Sequence, residues 1–292
     1  GLMCLLTVVM TWPLAADPRS SLNDFGDPLL NSWILWWDVK ALTTPGLSWF
    51  NAPMFHPSPL TLAYSEHMLI NALMAAPVLL LGGDALLAHN LVFMASFVLC
   101  GLGAYLLAYE LTGSRGAALI GALGFAFAPF RFGHLGHLQL QTAQFMPLVL
   151  LYLHRWAKDP RWSHALLMGL FWLLQILTCG YYALFVSLAV GLFLLYFGLA
   201  GGWWRQARRW RQMAAVGLAL GVLVLPLFWP YVQVKKDMGF VRSADNAASF
   251  AALPWHYLAA PPANLLYGKL SEPLRGAEGE LFLGLGLTIL VV

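Results

Sequence analysis

Two aspartates three residues apart carry the most promising chemistry of this chain. Their segment reads Asp24-Phe25-Gly26-Asp27-Pro28-Leu29-Leu30-Asn31-Ser32-Trp33-Ile34-Leu35-Trp36-Trp37-Asp38. A carboxylate within hydrogen-bond reach of a hydroxyl can take its proton as the oxygen attacks, and Asp24 and Asp27 are the residues equipped for it. Gly26 permits a tight turn, Asp27 suits a helix cap, and Pro28 fits the first helical position. A helix from Pro28 to about Leu42 is therefore predicted, aromatic-rich as expected of one lying in a membrane interface. Two uses of Asp27 stay open at this level, a helix cap or a carboxylate meeting a lipid headgroup. Asp24 is likewise either a solvated loop residue or the reactive group.

Other groups gather in short motifs. Glu66-His67 follows a proline-rich stretch, and such a pair can bind a divalent ion or a substrate, or simply start a helix. The turn Arg131-Phe132-Gly133-His134-Leu135-Gly136-His137-Leu138-Gln139 holds two histidines at i, i+3, which is a poor metal motif alone and otherwise a polar cleft lining. Tyr181 and Tyr182 follow Gly180 and read as interfacial anchors or as ligand-stacking rings. Arg131, Lys235, Lys236 and Arg242 are cations at span ends, able to hold a phosphate or simply to meet anionic headgroups. Among them Arg131 stands out, because a guanidinium grips two phosphate oxygens at once. The run Trp203-Trp204-Arg205 to Arg211 reads as charge at a membrane face rather than as a site.

The elements that must position these groups follow from composition. Of 292 residues, 60% are hydrophobic and only 10% are charged, with a mean hydropathy of +0.70. Soluble domains run at about 45–50% apolar and about 25% charged, so a soluble enzyme is excluded, as are disorder and collagen. The net charge of +3 is too mild for a nucleic-acid partner. Cys4, Cys100 and Cys179 lie far apart in apolar runs and define neither a disulfide framework nor a metal spacing. An all-α, polytopic transmembrane bundle is expected.

Charge-free stretches outline the spans at 1–16, 67–83, 85–109, 116–130, 132–154, 162–204, 212–234 and 281–292. A helix through all of 162–204 would measure about 65 Å, twice a bilayer core of about 30 Å, so it must fold back near Thr178-Cys179-Gly180. The stretch 41–65 carries Pro45, Pro53, Pro57 and Pro59 and reads as an irregular loop. Residues 1–16 lack a charged n-region and a small-x-small cleavage pattern, so a first membrane anchor is expected rather than a signal peptide. The chain opens at Gly1 and stops within an apolar run, and is expected to be part of a longer protein with further spans.

Three short connections, 110–116, 155–163 and 203–212, hold eight Lys/Arg in 26 residues, opposed only by Glu110 and Asp159. These should face the cytoplasm. The parity then holds only if 67–83 does not cross, so this segment, expected to be broken by Pro77, should lie at the outer face. The rival layout places 17–66 in the cytoplasm, but that loop has two basic residues against five acidic ones. The expected layout of the single domain 1–292 is an anchor, a first extracytoplasmic loop (17–84) with interfacial helices, six spans, and a second extracytoplasmic loop (235–280).

A short first span, an acidic outer loop with an interfacial helix, a proline-rich segment and many spans together resemble the GT-C superfamily of membrane glycosyltransferases. The superfamily includes protein O-mannosyltransferases, oligosaccharyltransferases and the aminoarabinose transferases of lipid A. The strings GDPLLNSWILWWD, LAYSEH, HLGHLQLQTAQFMPL and GYYALF resemble a bacterial branch of it. The resemblance implies an inverting transfer of sugar from a polyprenyl-phosphate donor to a lipid, glycan or protein acceptor. The site would face the periplasm from a bacterial inner membrane. It also implies an acidic base early in the first outer loop, here Asp27 or Asp24. Many relatives carry Asp-Glu where this chain has Gly-Asp, which leaves the choice between the two open. Relatives often place a second acidic residue at the corner occupied here by His134, His137 and Gln139. A divalent cation is the one cofactor this chemistry suggests, and the residues do not fix it. The alternatives are a transporter or flippase, or a non-catalytic assembly protein for envelope polysaccharide. Against translocation, no long span carries a charge near its middle.

Overall fold

A computed structural model describes residues 1–239, 243–276 and 278–291. Among these residues the secondary structure is helical, without strands. The helices are α1 (Leu2–Met10), α2 (Asp27–Thr43), α3 (Leu69–Leu80), α4 (Ala85–Thr112), α5 (Arg115–Ala126), α6 (Pro129–Gly133), α7 (Leu138–Gln141), α8 (Met146–Lys158), α9 (Trp162–Ile176), α10 (Gly180–Ala200), α11 (Ala207–Met238), α12 (Ala244–Ser249) and α13 (Leu285–Val291). Four stretches are long and apolar enough to cross a membrane: Ala85–Thr112, Arg115–Gly133, Gly180–Ala200 and Ala207–Met238. Leu184, Leu188, Leu192 and Leu195 of α10 and Leu218, Val222 and Leu225 of α11 stand exposed. Water would penalise such surfaces and lipid does not. The protein is an all-α membrane protein.

Side-chain contacts sort the connections into two ends. Arg155 donates to Glu110 at 2.7 and 2.8 Å, and Lys158 stands 3.8 Å from the same carboxylate. Arg209 donates to the carbonyls of Trp156 and Ala157 at 3.1 and 3.0 Å, and Gln212 donates to that of Pro160 at 3.0 Å. The three basic connections therefore share one end of the bundle. At the other end, the amide of Ile70 donates to Leu177 O at 3.2 Å and that of His67 to Tyr231 Oη at 3.0 Å. Asn90 donates to Pro18 O and Ser21 O at 2.9 and 2.8 Å, which ties the start of α4 to the first loop.

The fold-back expected near residues 178–180 is present between α9 and α10. Three expectations are corrected. Residues 1–16 contain a nine-residue helix, α1, rather than a span-length one. Pro77 does not break α3, whose 12 residues continue through it; a helix of that length reaches about 18 Å, too short to traverse a bilayer core. The segment 132–154 is not one helix. The backbone leaves helical form on both sides of α7, and glutamines take up the groups this frees. Gln141 Nε2 donates to Arg131 O and His134 O at 2.9 and 2.7 Å. Gln175 donates to Thr142 O at 3.0 Å and accepts from the Phe145 amide at 3.1 Å. Irregular backbone at membrane depth survives only when satisfied in this way.

Two larger cores and a small cluster around Cys100, Ala126 and Ala143 hold the assembly. One joins α2, the 50–68 segment, α3 and α4 through Ile34, Leu35, Leu62, Met68, Phe93 and Phe97. The other joins α8, α9, α10 and α11 through Leu153, Trp156, Met168, Val186 and Val216.

Candidate functional site

The first loop ends in a turn in which Asp24 Oδ1 accepts from the Gly26 amide at 3.1 Å. Gly26 itself is the N-cap of α2, and Asp27 is the first helical residue, with Pro28 next. No side chain caps this helix, so the capping role open to Asp27 in the sequence is not the one it plays. Its carboxylate instead reaches 110 residues along the chain. Asp27 Oδ2 accepts from His137 Nδ1 at 2.6 Å, a length typical of a charge-assisted bond. A carboxylate oxygen can only accept, so Nδ1 carries the proton and Nε2 of a neutral ring presents its lone pair.

His137 is held in place by its own turn. It precedes α7, and its carbonyl accepts from the amides of Leu140 and Gln141 at 2.9 and 3.2 Å. Gly136 lets the two loops close up, since a Cβ there would stand 3.2 Å from Asp24 Oδ2. Asn31, one turn along α2 from Asp27, donates to Gly136 O at 3.5 Å. His134 is buried, its Nδ1 donating to Phe130 O at 2.9 Å, with its ring 6.0 Å from that of His137.

A third segment completes the wall. Glu278 Oε1 lies 3.9 Å from His137 Nε2, and the Glu280 side chain packs on Gly133. Glu278 has a left-handed backbone (φ 55°), and Gly276 and Gly279 beside it press on the buried His256 ring so closely that a Cβ at either would collide. Asp27 and Glu278 thus stand at the two ring nitrogens of His137, while Asp24 lies beside Gly136 and Glu280 beside Gly133. The sequence reading missed Glu278 and Glu280; the acidic Glu278-Gly279-Glu280 string immediately before the apolar run 281–292 was the available signal. Among the described residues no group of three or more His, Cys, Asp and Glu side chains is placed to hold a metal ion.

The remaining expected site residues go elsewhere. Arg131 is corrected from phosphate ligand to structural cation. It is 5% exposed, and its guanidinium donates to Gln141 Oε1 (3.1 Å), Ala126 O (2.6 Å), Ser96 Oγ (2.9 Å) and Gln141 O (2.7 Å). Its plane also lies 3.9 Å from the centre of the Phe97 ring. Glu66 and His67 do not act as a pair. Glu66 Oε2 accepts from the Gly180 amide at 3.3 Å, at the N-terminus of α10, where a carboxylate is favoured. His67 is buried among Trp49, Phe228 and Tyr231. Tyr182 donates to Leu140 O at 2.7 Å and so braces α7. Tyr181 is exposed. Gln139 has a buried, unpartnered Oε1. Lys235 and Lys236 are exposed at the end of α11, Lys236 lying 5.8 Å from the Trp229 ring. Arg242 lies outside the described residues.

Burial sets the protonation of the groups behind the loop. Asp38, fully buried on α2, is pushed up to about 8 by desolvation, against a hydrogen bond from Trp49 that favours its charged form. Trp49 Nε1 donates to Asp38 Oδ1 at 2.7 Å, while Oδ2 has no partner. Burial also raises Glu66, offset in part by the Gly180 amide, and pushes His67 down to about 4. For Asp38 the folded-state pKa lies above the usual 3.8, so the native state binds the extra proton. The stability this contributes is complete below about pH 4 and lost as pH rises through about 8, by up to about 1.4 kcal/mol per pH unit. Asp38→Asn is expected to melt near the wild-type temperature at pH 5 and several degrees above it at pH 8. An identical shift at both pH values in detergent melts would contradict this.

Compared with known proteins, the chain matches no family model, no curated protein and no solved structure.

Proposed function

We propose that the protein is an integral-membrane glycosyltransferase of GT-C type. In this reading it transfers a sugar from a polyprenyl-phosphate donor to an acceptor hydroxyl at the outer face of a bacterial inner membrane. The observation that carries it is the hydrogen bond between Asp27 and His137, which unites the acidic first loop and the histidine corner on which the resemblance rests. Attack by a hydroxyl on an oxocarbenium-like centre needs a proton acceptor, and this pair supplies one at a half-exposed position.

Two further features support the reading. A shallow, largely apolar surface lined by Leu29, Ser32, Trp33 and Trp36 of α2 and by Gly83 to Leu86 lies along the helix that Asp27 begins, and an isoprenoid chain could rest on it. The clustering of the three basic connections at the opposite end fits a cytoplasmic face there.

The test is donor consumption. Purified full-length protein in proteoliposomes, given radiolabelled polyprenyl-phosphate hexoses and a membrane extract as acceptor source, should release polyprenyl phosphate as sugar is transferred. A flippase or scaffold would move or ignore the donor without cleaving it. In the same preparation, oriented as in cells, a cysteine introduced at exposed Ser48 should react with an impermeant maleimide from outside, and one at Ser163 should not. The reverse pattern would invert the orientation.

A further inference from the structure

We propose that the acceptor's proton is received by Nε2 of His137, with Asp27 acting through the ring rather than directly. This deepens the transferase reading and rests on it.

The geometry assigns the roles. Asp27 Oδ2 is already engaged by His137 Nδ1 at 2.6 Å, which fixes the tautomer and leaves Nε2 as a basic lone pair. A carboxylate that orients an imidazole and stabilises its protonated form is the arrangement by which weak nucleophiles are activated in hydrolases of unrelated fold. Nε2 points toward Glu278 Oε1 across 3.9 Å, too long for a direct hydrogen bond. The imidazole side chain is 31% exposed and that of Glu278 is 51% exposed, so the ring is reachable from solvent. Asp24 is held by its own turn through the Gly26 amide. The second histidine of the corner, His134, is buried with Nδ1 tied to Phe130 O, and serves as packing behind the reactive ring.

The groups that face His137 are Asp27 of α2, Glu278 of the last loop and, with its ring 6.0 Å away, His134 of its own turn. Asp27, bonded to Nδ1, stabilises the positive charge that develops on the ring as the acceptor attacks. The step balances. The acceptor oxygen forms a bond to the anomeric carbon while the bond from that carbon to the phosphate oxygen breaks, with its electron pair leaving on the lipid phosphate. The acceptor proton passes to Nε2 and then to solvent on the Glu278 side.

Chemical rescue tests the assignment. In the proteoliposome assay with polyprenyl-phosphate hexose, His137→Ala should lose at least 100-fold in donor consumption. Added imidazole should restore much of it in proportion to its concentration, because the deleted ring is reachable from solvent. His137→Asn, whose amide can still donate to Asp27, should be equally inactive and should respond to imidazole far less, since its side chain fills the gap. Asp27→Asn should not be rescued by imidazole. Full activity of His137→Asn beside an inactive Asp27→Asn would show that Asp27 takes the proton itself, overturning this assignment and leaving the transferase reading intact. A folded, inactive His137→Ala without rescue would reduce His137 to a structural role and overturn it as well. No donor consumption by the wild-type protein would overturn the transferase reading and this assignment with it.

Discussion

Asp27→Asn is expected to lower donor turnover by about 10²–10⁴-fold, the usual cost of disabling a general base or its partner, while expression and monodispersity stay at wild-type levels. The separation between activity and folding follows from the position of the residue. Asp27 is 47% exposed, begins α2 without capping it, and contributes at most about 0.3–1 kcal/mol through the helix dipole. An amide of the same shape can accept one hydrogen bond from His137, but it carries no charge to offset an imidazolium. Asp24→Asn should be milder, because the oxygen that accepts from the Gly26 amide is retained in the amide. Initial rates of polyprenyl phosphate release from the two variants, side by side, check this. An inactive Asp24→Asn with a fully active Asp27→Asn would move the reactive carboxylate to Asp24.

Arg131→Met is expected to abolish most of the folded protein, and Arg131→Lys to lower the thermal midpoint markedly without a selective rise in KM for the lipid donor. The guanidinium serves four acceptors on three segments, Ala126 O, Ser96 Oγ, Gln141 O and Gln141 Oε1. A methionine leaves all of them in a dry interior, at about 1–3 kcal/mol for each that finds no other partner. That sum is comparable with the total stability of a typical domain, about 5–15 kcal/mol. A lysine keeps the charge but has three donors on one atom and no fork, so it cannot span the same set. Detergent extraction with fluorescence-detected size exclusion, followed by a melt, reads the outcome. A wild-type melt for Arg131→Lys together with a raised KM for the donor would restore Arg131 as a phosphate ligand.

Arg131 also shows where sequence reasoning stops. Its place beside two histidines at a span end made it a natural phosphate grip, and nothing in the string reveals that Gln141, ten residues on, turns back to accept from it. Whether a cation meets a ligand or a carbonyl depends on the direction of its side chain, and direction is set by packing. The same applies to Glu66 and His67, adjacent in sequence and divergent in space, one capping α10 and the other buried among aromatic rings.

What was legible in the sequence was what solvent preference alone decides. Charge-free runs of sufficient length had to be helical in lipid, a 43-residue apolar run had to fold back, and the glycine at 180 marked where. Lys/Arg density marked three connections that the structure then gathers at one end through Glu110–Arg155 and Arg209–Trp156. The aromatic helix after Asp27 was legible too, because a proline at its start and a tryptophan-rich face are local features. The break of 132–154 was not, since its hydropathy is that of a span and only side-chain bonds from Gln141 and Gln175 make a non-helical path affordable. Tertiary structure alone decided that Asp27 meets His137 and that Glu278 faces the other edge of the same ring. Such contacts join residues more than a hundred positions apart, and no local preference encodes them. They exist because α2, the turn before α7 and the last loop are each fixed by their own packing, and the point where the three converge is a property of the assembled helices.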